Sequence, residues 1–172
     1  RPDLNTVDLR GNVDTRIKKM QQQGLHAIVL AYAGIKRLGY EELITEVLPC
    51  ELLLPAVGQG AIGVEIRSDD ENTAAMLALI NHEATRLEVL AERSFLRVLE
   101  GGCQIPIAAL AQIEGDKLSI SGMVASLDGS VKYQGDLQGK PEKAEEIGRD
   151  LANQLLAAGA REVLSEIRGL GE

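Results

Sequence analysis

The apolar positions of the chain change period along its length, and the changes mark out elements. Thr6–Leu9 alternates as a half-exposed strand does. Arg10-Gly11-Asn12 is a turn, and Asn12 or Asp14 can cap the helix that follows. Val13, Ile17 and Met20 fall at helical spacing, which predicts a helix to Gln22 or Gln23 ended by Gly24. Ala27–Ala31 is a short, wholly apolar run, suited to a strand buried on both faces. A second helix is expected from Ala33 to Leu38, stopping at Gly39. Strand, helix, strand, helix at these lengths reads as part of a parallel βαβ unit, too small to be a full sheet. Leu52–Gly60 contains one Pro and two Gly and reads as a segment crossing between domains. Ala61–Arg67 is a strand candidate. Ser68-Asp69-Asp70-Glu71 opens a helix that Ala74–Ile80 continues.

From Asn81 the character changes. Asn81 or His82 can cap a long helix in which Leu87, Leu90, Ala91, Ser94, Phe95 and Val98 form one stripe. Three strands follow: Ile107–Ile113, Leu118–Ala125 and Val131–Leu137, with turns at Gly115-Asp116 and Asp128-Gly129. Leu118, Ile120 and Val124 share a face, with Gly122 completing the alternation. Pro141 and Glu142 begin a helix with Ile147, Leu151 and Leu155 at i+4 spacing, which Gly159 closes. A last short helix carries Val163, Leu164 and Ile167. The expected class is therefore α/β plus α+β: part of a parallel βαβ domain, then a strand and helix, then a small antiparallel three-strand sheet with helices on one face.

Composition narrows the function classes. The net charge of -8 argues against a general nucleic-acid or anionic-membrane surface, though not against a local basic site. With no Trp and one Phe, the core must be aliphatic. Two distant cysteines make no secreted disulfide framework, so a reducing, cytoplasmic setting fits better. No apolar run is long enough to span a bilayer, and the first residues carry no signal-peptide pattern. The chain opens on Arg1-Pro2-Asp3-Leu4 without an initiator Met and reads as a piece of something longer.

Few residues invite chemistry. His26 and His82 lie in different units and are most simply solvent-facing or capping. With Cys50 and Cys103 they make no metal-ligand spacing, so no metal is expected. Gly58-Gln59-Gly60 is too short for a phosphate loop. Arg10 and Arg16 flank the start of the first helix, where free N–H groups and the positive dipole end favour an anion. Arg37 closes the second helix. Surface salt-bridging and carboxylate binding both fit these arginines. Cys103 follows two glycines in Glu100-Gly101-Gly102-Cys103-Gln104-Ile105-Pro106. It is either a small hydrophobe after a helix cap or a presented thiol.

Three motifs occur in order: Arg10-Gly11-Asn12-Val13-x-Thr15-Arg16, Leu54-Pro55-Ala56-Val57-Gly58-Gln59-Gly60-Ala61 and Glu100-Gly101-Gly102-Cys103-Gln104-x-Pro106. Together they resemble the hydroxymethylbilane synthases, also called porphobilinogen deaminases, along the whole chain. The resemblance implies a transferase of tetrapyrrole (haem) biosynthesis that condenses four porphobilinogen molecules with loss of ammonia. It implies a covalent dipyrromethane cofactor, held by a thioether at Cys103, because a soft thiol captures the deaminated, electrophilic substrate. Each pyrrole carries acetate and propionate groups. Arg10, Arg16 and Arg37, with Asn12 and Gln59 as weaker carry-overs, would bind them. It further implies three domains: 1–54 the later part of the middle domain, 55–81 a hinge and return into the N-terminal domain, and 82–172 the C-terminal domain. The full enzyme would be a monomer.

The sequence also departs from the family pattern. The His-Ser-x-Lys-Asp motif with the catalytic aspartate is absent, so no catalytic residue is expected in this chain. The N-terminal portion of the same enzyme becomes an expected partner. Two other classes stay open. A thiol hydrolase or redox sensor could use Cys103, but a helix C-terminus and Glu100 disfavour thiolate there. A non-catalytic carboxylate-binding module would explain the arginines but gives Cys103 no task.

Overall fold

The computed structural model describes residues 3–99 and 105–169, in two compact units, Arg1–Val47 and Leu48–Glu172. In the first, helix α1 (Val13–Gln22) is followed by α2 (Tyr32–Arg37) and a 3-10 turn at Glu41–Leu43. Both helices end before left-handed glycines, Gly24 and Gly39, as expected. Val13 at the start of α1 lies against Gly34 of α2, and Ile35 is buried. The Tyr40 hydroxyl donates to Asp14 Oδ1 at 2.7 Å and ties the end of the helical pair back to α1.

Thr6–Leu9 and Ala27–Ala31 do not form strands, which corrects the βαβ expectation. Ala61–Arg67 in the second unit forms none either. A strand exists only as a member of a hydrogen-bonded ladder. Among the described residues these runs have no strand partner. Val29 is 68% exposed and Ile62 83%, so the apolar pattern that marked them is not spent on burial here. The mixed α and β class holds, with all of its sheet in the second unit.

That unit holds α3 (Glu71–Ala78), capped by Asp70, and α4 (Glu83–Val98), capped by His82. Then come β1 (Ile107–Glu114), β2 (Lys117–Ala125) and β3 (Lys132–Gly139), α5 (Ala144–Leu155) and α6 (Arg161–Gly169). A wide turn at Leu156–Ala160, bent at Gly159, joins the last two helices. The sheet is antiparallel in the order β1-β2-β3, with Ala111 opposite Ile120 and Gly122 opposite Gly135. In the β2–β3 turn, Asp128 accepts hydrogen bonds from both Ser126 and Ser130, which pull its carboxyl down to about 2.

Leu118, Ile120 and Val124 point inward, as their alternation predicts, onto Phe95, Leu99, Ile147, Leu151 and Leu155. α4 and α5 cover this face. They cross at Gly148, where an added Cβ would lie 2.0 Å from the carbonyl oxygen of Ala91. Ser94 Oγ donates to the Glu145 carbonyl at 2.8 Å beside the crossing. Only glycine allows that approach, so the helix tolerates its poor propensity there. Gly148→Ala should destabilise the second unit by about 3 kcal/mol or more despite the helix-propensity gain. Thermal unfolding followed by circular dichroism checks it, and an unchanged midpoint would mean that the helices pack elsewhere.

Candidate functional site

The anion site expected at the start of α1 is built by the turn before it. Gly11 has φ +131°, and a Cβ there would lie 2.7 Å from Thr15 Cγ2, so the turn depends on glycine. Asn12 caps the helix, its Oδ1 accepting from the Thr15 amide at 2.9 Å. Arg16, one turn in, donates Nε to the Gly11 carbonyl at 2.7 Å. Lys19, one turn further, donates Nζ to the Arg10 carbonyl at 2.9 Å. Two cations thus brace the turn and stay at the positive end of α1, and Arg10 sits on the turn itself. Lys19 was not singled out by sequence. Its spacing from Arg16 was the available signal, but nothing in the pattern tells a brace from a solvated lysine.

Arg37 is the last residue of α2, exposed, with Lys36 beside it. Among the described residues, no carboxylate pairs with Arg10, Arg16 or Arg37. In the second unit Arg67, Arg86 and Arg97 pair with carboxylates, while Arg93, Arg149 and Arg161 have no such pair among the described residues. Asp14 is the acid in the first turn of α1, and it is engaged by Tyr40. That bond and the charge of Asp14 raise the Tyr40 pKa, keeping the phenol a donor. Guanidinium groups without a protein carboxylate suit a ligand rich in carboxylates.

The other expected residues lie in the second unit. Gln59 is exposed in the turn after Val57, and Val57 packs on the core. Cys103 lies outside the described residues. Cys50 is a free, exposed thiol. His82 Nδ1 accepts from the Thr85 amide at 3.3 Å, a capping role, and His26 is exposed. Among the described residues, no group of three His, Cys, Asp or Glu could hold a metal ion. No helix among them is long and apolar enough to cross a membrane.

Sequence reasoning missed the residue that holds the Gln59 turn. Glu92 on α4 is only 5% exposed. Its Oε2 accepts from the Gly58 amide at 2.6 Å and its Oε1 from the Ala111 amide at 2.9 Å. Glu88, one turn earlier, accepts from the Ile113 amide at 2.8 Å, and the Pro55 carbonyl accepts from the Ala109 amide at 3.2 Å. The N–H groups of residues 109, 111 and 113 thus line the free edge of β1, and each has a partner. The segment around Pro55 and Gly58 is fastened along that edge. Burial pushes the Glu92 carboxyl above its ordinary value, with the nearby charge of Glu88 adding to the rise, while the two amides work against it.

The folded state therefore penalises ionised Glu92. This contribution is fully present below the ordinary carboxyl range and is lost as pH rises through the raised pKa. Glu92→Gln should remove that dependence. Glu92→Ala, leaving two amides unpaired, should cost about 2–5 kcal/mol at pH 7. Denaturant unfolding of wild type and both variants between pH 5 and 8 checks this. A pH profile in Glu92→Gln identical to wild type would show that Glu92 does not titrate in this range.

Two models of one family match the chain in succession. Residues 1–75 match the porphobilinogen deaminase, dipyromethane cofactor binding domain, and residues 86–157 match the porphobilinogen deaminase, C-terminal domain. Curated relatives named porphobilinogen deaminase are similar over nearly the whole chain. The protein from Syntrophomonas wolfei is 54% identical over 168 residues, covering 98% of this chain and 55% of its own length. The one from Carboxydothermus hydrogenoformans is 52% identical, with 98% and 54% covered. The one from Moorella thermoacetica is 55% identical, again with 98% and 54% covered. The chain spans about half the length of the curated relatives it matches.

Proposed function

We propose, from the premise that the chain belongs to the porphobilinogen deaminase family, that it is the C-terminal, cofactor-anchoring portion of an enzyme condensing four porphobilinogen molecules into linear hydroxymethylbilane. The observation that carries this reading is the set of arginines, Arg10, Arg16 and Arg37, left without carboxylate partners among the described residues. They fall within the segment matched by the cofactor-binding model.

In this reading each residue has a task. Arg10, Arg16 and Arg37 bind acetate and propionate groups, with the first-turn amides of α1 adding positive potential. Asn12 holds those amides in place by capping the helix. Gln59 offers an amide side chain from the turn that Glu92 fastens. Cys103 would hold the cofactor: a thioether at its Sγ would replace the aminomethyl C–N bond of the substrate, with the thiol proton leaving on the nitrogen as ammonia. A thioether survives repeated turnovers because water does not hydrolyse it as it would a thioester. When bound, the dipyrromethane supplies the chain end to which pyrrole units are added. The general acid/base belongs to the portion of the enzyme that precedes this chain. The domain assignment follows the same reading, with 1–54 in the middle domain, 55–81 as hinge and return, and 82–172 as the C-terminal domain.

Two outcomes test it. In the full-length protein, Arg16→Leu should keep the fold and block cofactor assembly or chain growth, since an ion pair partner lost from a desolvated site costs about 3–5 kcal/mol. Normal turnover in that variant removes Arg16 from the site. The chain by itself should form no hydroxymethylbilane from porphobilinogen, because positioned proton transfer, typically worth about 10²–10⁴-fold, is supplied from elsewhere. Adding the N-terminal portion should restore activity, assayed as uroporphyrin after acid oxidation. Sustained turnover by the isolated chain would place the acid/base within these residues.

A further inference from the structure

Arg37 stands on a different helix from Arg10 and Arg16, and little burial joins the two helices: Ile35 is the buried residue of α2, and α1 has none. Two contacts join them, one on each side of Arg37 in sequence. Before it, a Cβ on Gly34 would lie 3.5 Å from Val13 Cγ2. After it, the Tyr40 hydroxyl donates to Asp14 Oδ1 at 2.7 Å. Val13 and Asp14 are consecutive residues in the first turn of α1, directly after the Asn12 cap, and Arg16 stands two residues beyond them. The chain from Arg37 to Tyr40 is itself held. The amides of Leu38 and Tyr40 both donate to the Ile35 carbonyl at 3.2 Å, and that of Gly39, left-handed at φ +72°, donates to the Lys36 carbonyl at 3.1 Å. Three residues span at most about 11 Å, so the point that holds Tyr40 also holds the backbone of Arg37. Tyr40 is half-buried, and its bond to Asp14 together with the charge of that carboxylate keeps the phenol protonated.

We propose that Tyr40 is a positioning residue for the carboxylate-binding arginines: through Asp14 it fixes the end of α2, and Arg37 with it, against the turn that carries Arg10 and Arg16. The proposal rests on the reading of those arginines as a carboxylate site. A ligand with several carboxylates engages several guanidinium groups at once only when their spacing matches its own. Ordering two loosely joined helices at the moment of binding would weaken affinity. A bond already made within the protein removes that loss. The tie is also specific to the hydroxyl, since the ring alone offers Asp14 no donor.

The test uses the full-length protein, with porphobilinogen as the probe. Tyr40→Phe removes only the hydroxyl. Asp14→Ala removes the acceptor and Asp14→Asn keeps one without the charge, so this pair separates the bond from the charge. KM and kcat are measured for each, with amide exchange over residues 32–43 by peptide mass and the thermal midpoint by circular dichroism. Tyr40→Phe and Asp14→Ala should each raise KM about fivefold with kcat within about twofold, because the arginines bind ground and transition state alike. Amide exchange over 32–43 should quicken about tenfold in both, while Asp14→Asn stays near wild type in KM and exchange. Tyr40→Phe is then combined with Arg37→Lys, where it should add less than about twofold to KM, since its effect passes through Arg37. A merely structural Tyr40 would lower the midpoint and leave KM unchanged, and that result overturns the proposal. An undiminished rise in the Arg37→Lys background overturns it as well. Should Tyr40→Phe not fold or Arg37→Lys abolish turnover, the Asp14 pair decides: a higher KM and faster exchange in Asp14→Ala than in Asp14→Asn support the proposal, and equal values overturn it. Arg37→Lys with wild-type KM and kcat would overturn the reading of Arg37 as a carboxylate ligand, an outcome separate from the exchange difference between Tyr40→Phe and wild type.

Discussion

Everything in the second unit depends on two carboxylates at the edge of its sheet. A three-strand sheet has two free edges, and an unpaired edge invites other strands. The β1 edge is closed by side chains: Glu92 and Glu88 take the amides of Ala111 and Ile113, and the Pro55 carbonyl takes that of Ala109. Because both glutamates stand on α4, the closure also fixes the helix across the sheet and keeps Phe95 over β2. The second oxygen of Glu92 then reaches Gly58, so one buried group joins helix, strand and crossing segment. Burying a carboxylate is costly unless its oxygens are satisfied, and here each accepts an amide.

The first unit uses the opposite economy. It buries little, and its order is local: a glycine turn, an asparagine cap, and two cationic side chains returned to the turn's own carbonyls. Such a device holds Arg10 and Arg16 near the positive end of α1 without a hydrophobic core. Among the described residues no carboxylate pairs with Arg10 or Arg16, although the chain as a whole has a net charge of -8. The acids lie mainly elsewhere, and the one in the first turn, Asp14, is bound to Tyr40.

The site was legible where chemistry is local. Gly11 and Asn12 announce a turn and a cap, and the turn places Arg10 and Arg16 with them. Arg37 was visible as the end of a short helix bounded by Gly39. Glu92 and Tyr40 were not. On a helical wheel Glu92 adjoins Ala91 and Phe95 and reads as the polar border of an apolar stripe. Its burial depends on β1 and the Pro55–Gly58 segment meeting over it. Tyr40 reads as a lone aromatic after a helix end, and its partner is 26 residues away.

What the sequence determined by itself is what short-range physics settles: helix starts at Asn12 or Asp14, in Ser68–Glu71 and at Asn81 or His82, the hairpin turns, the inward face of β2 and the helices over it. Each follows from steric limits on a few residues or from a period of burial. Tertiary structure decided the rest. It decided that α4 and α5 touch at Gly148, because only the crossing makes a Cβ there impossible. It decided which carboxylates close the sheet edge. Ala27–Ala31 and Ala61–Arg67 make the same point from the other side. Both carry the composition of buried strands, and neither is one here, because a strand's hydrogen bonds must come from a neighbour that its own sequence does not contain.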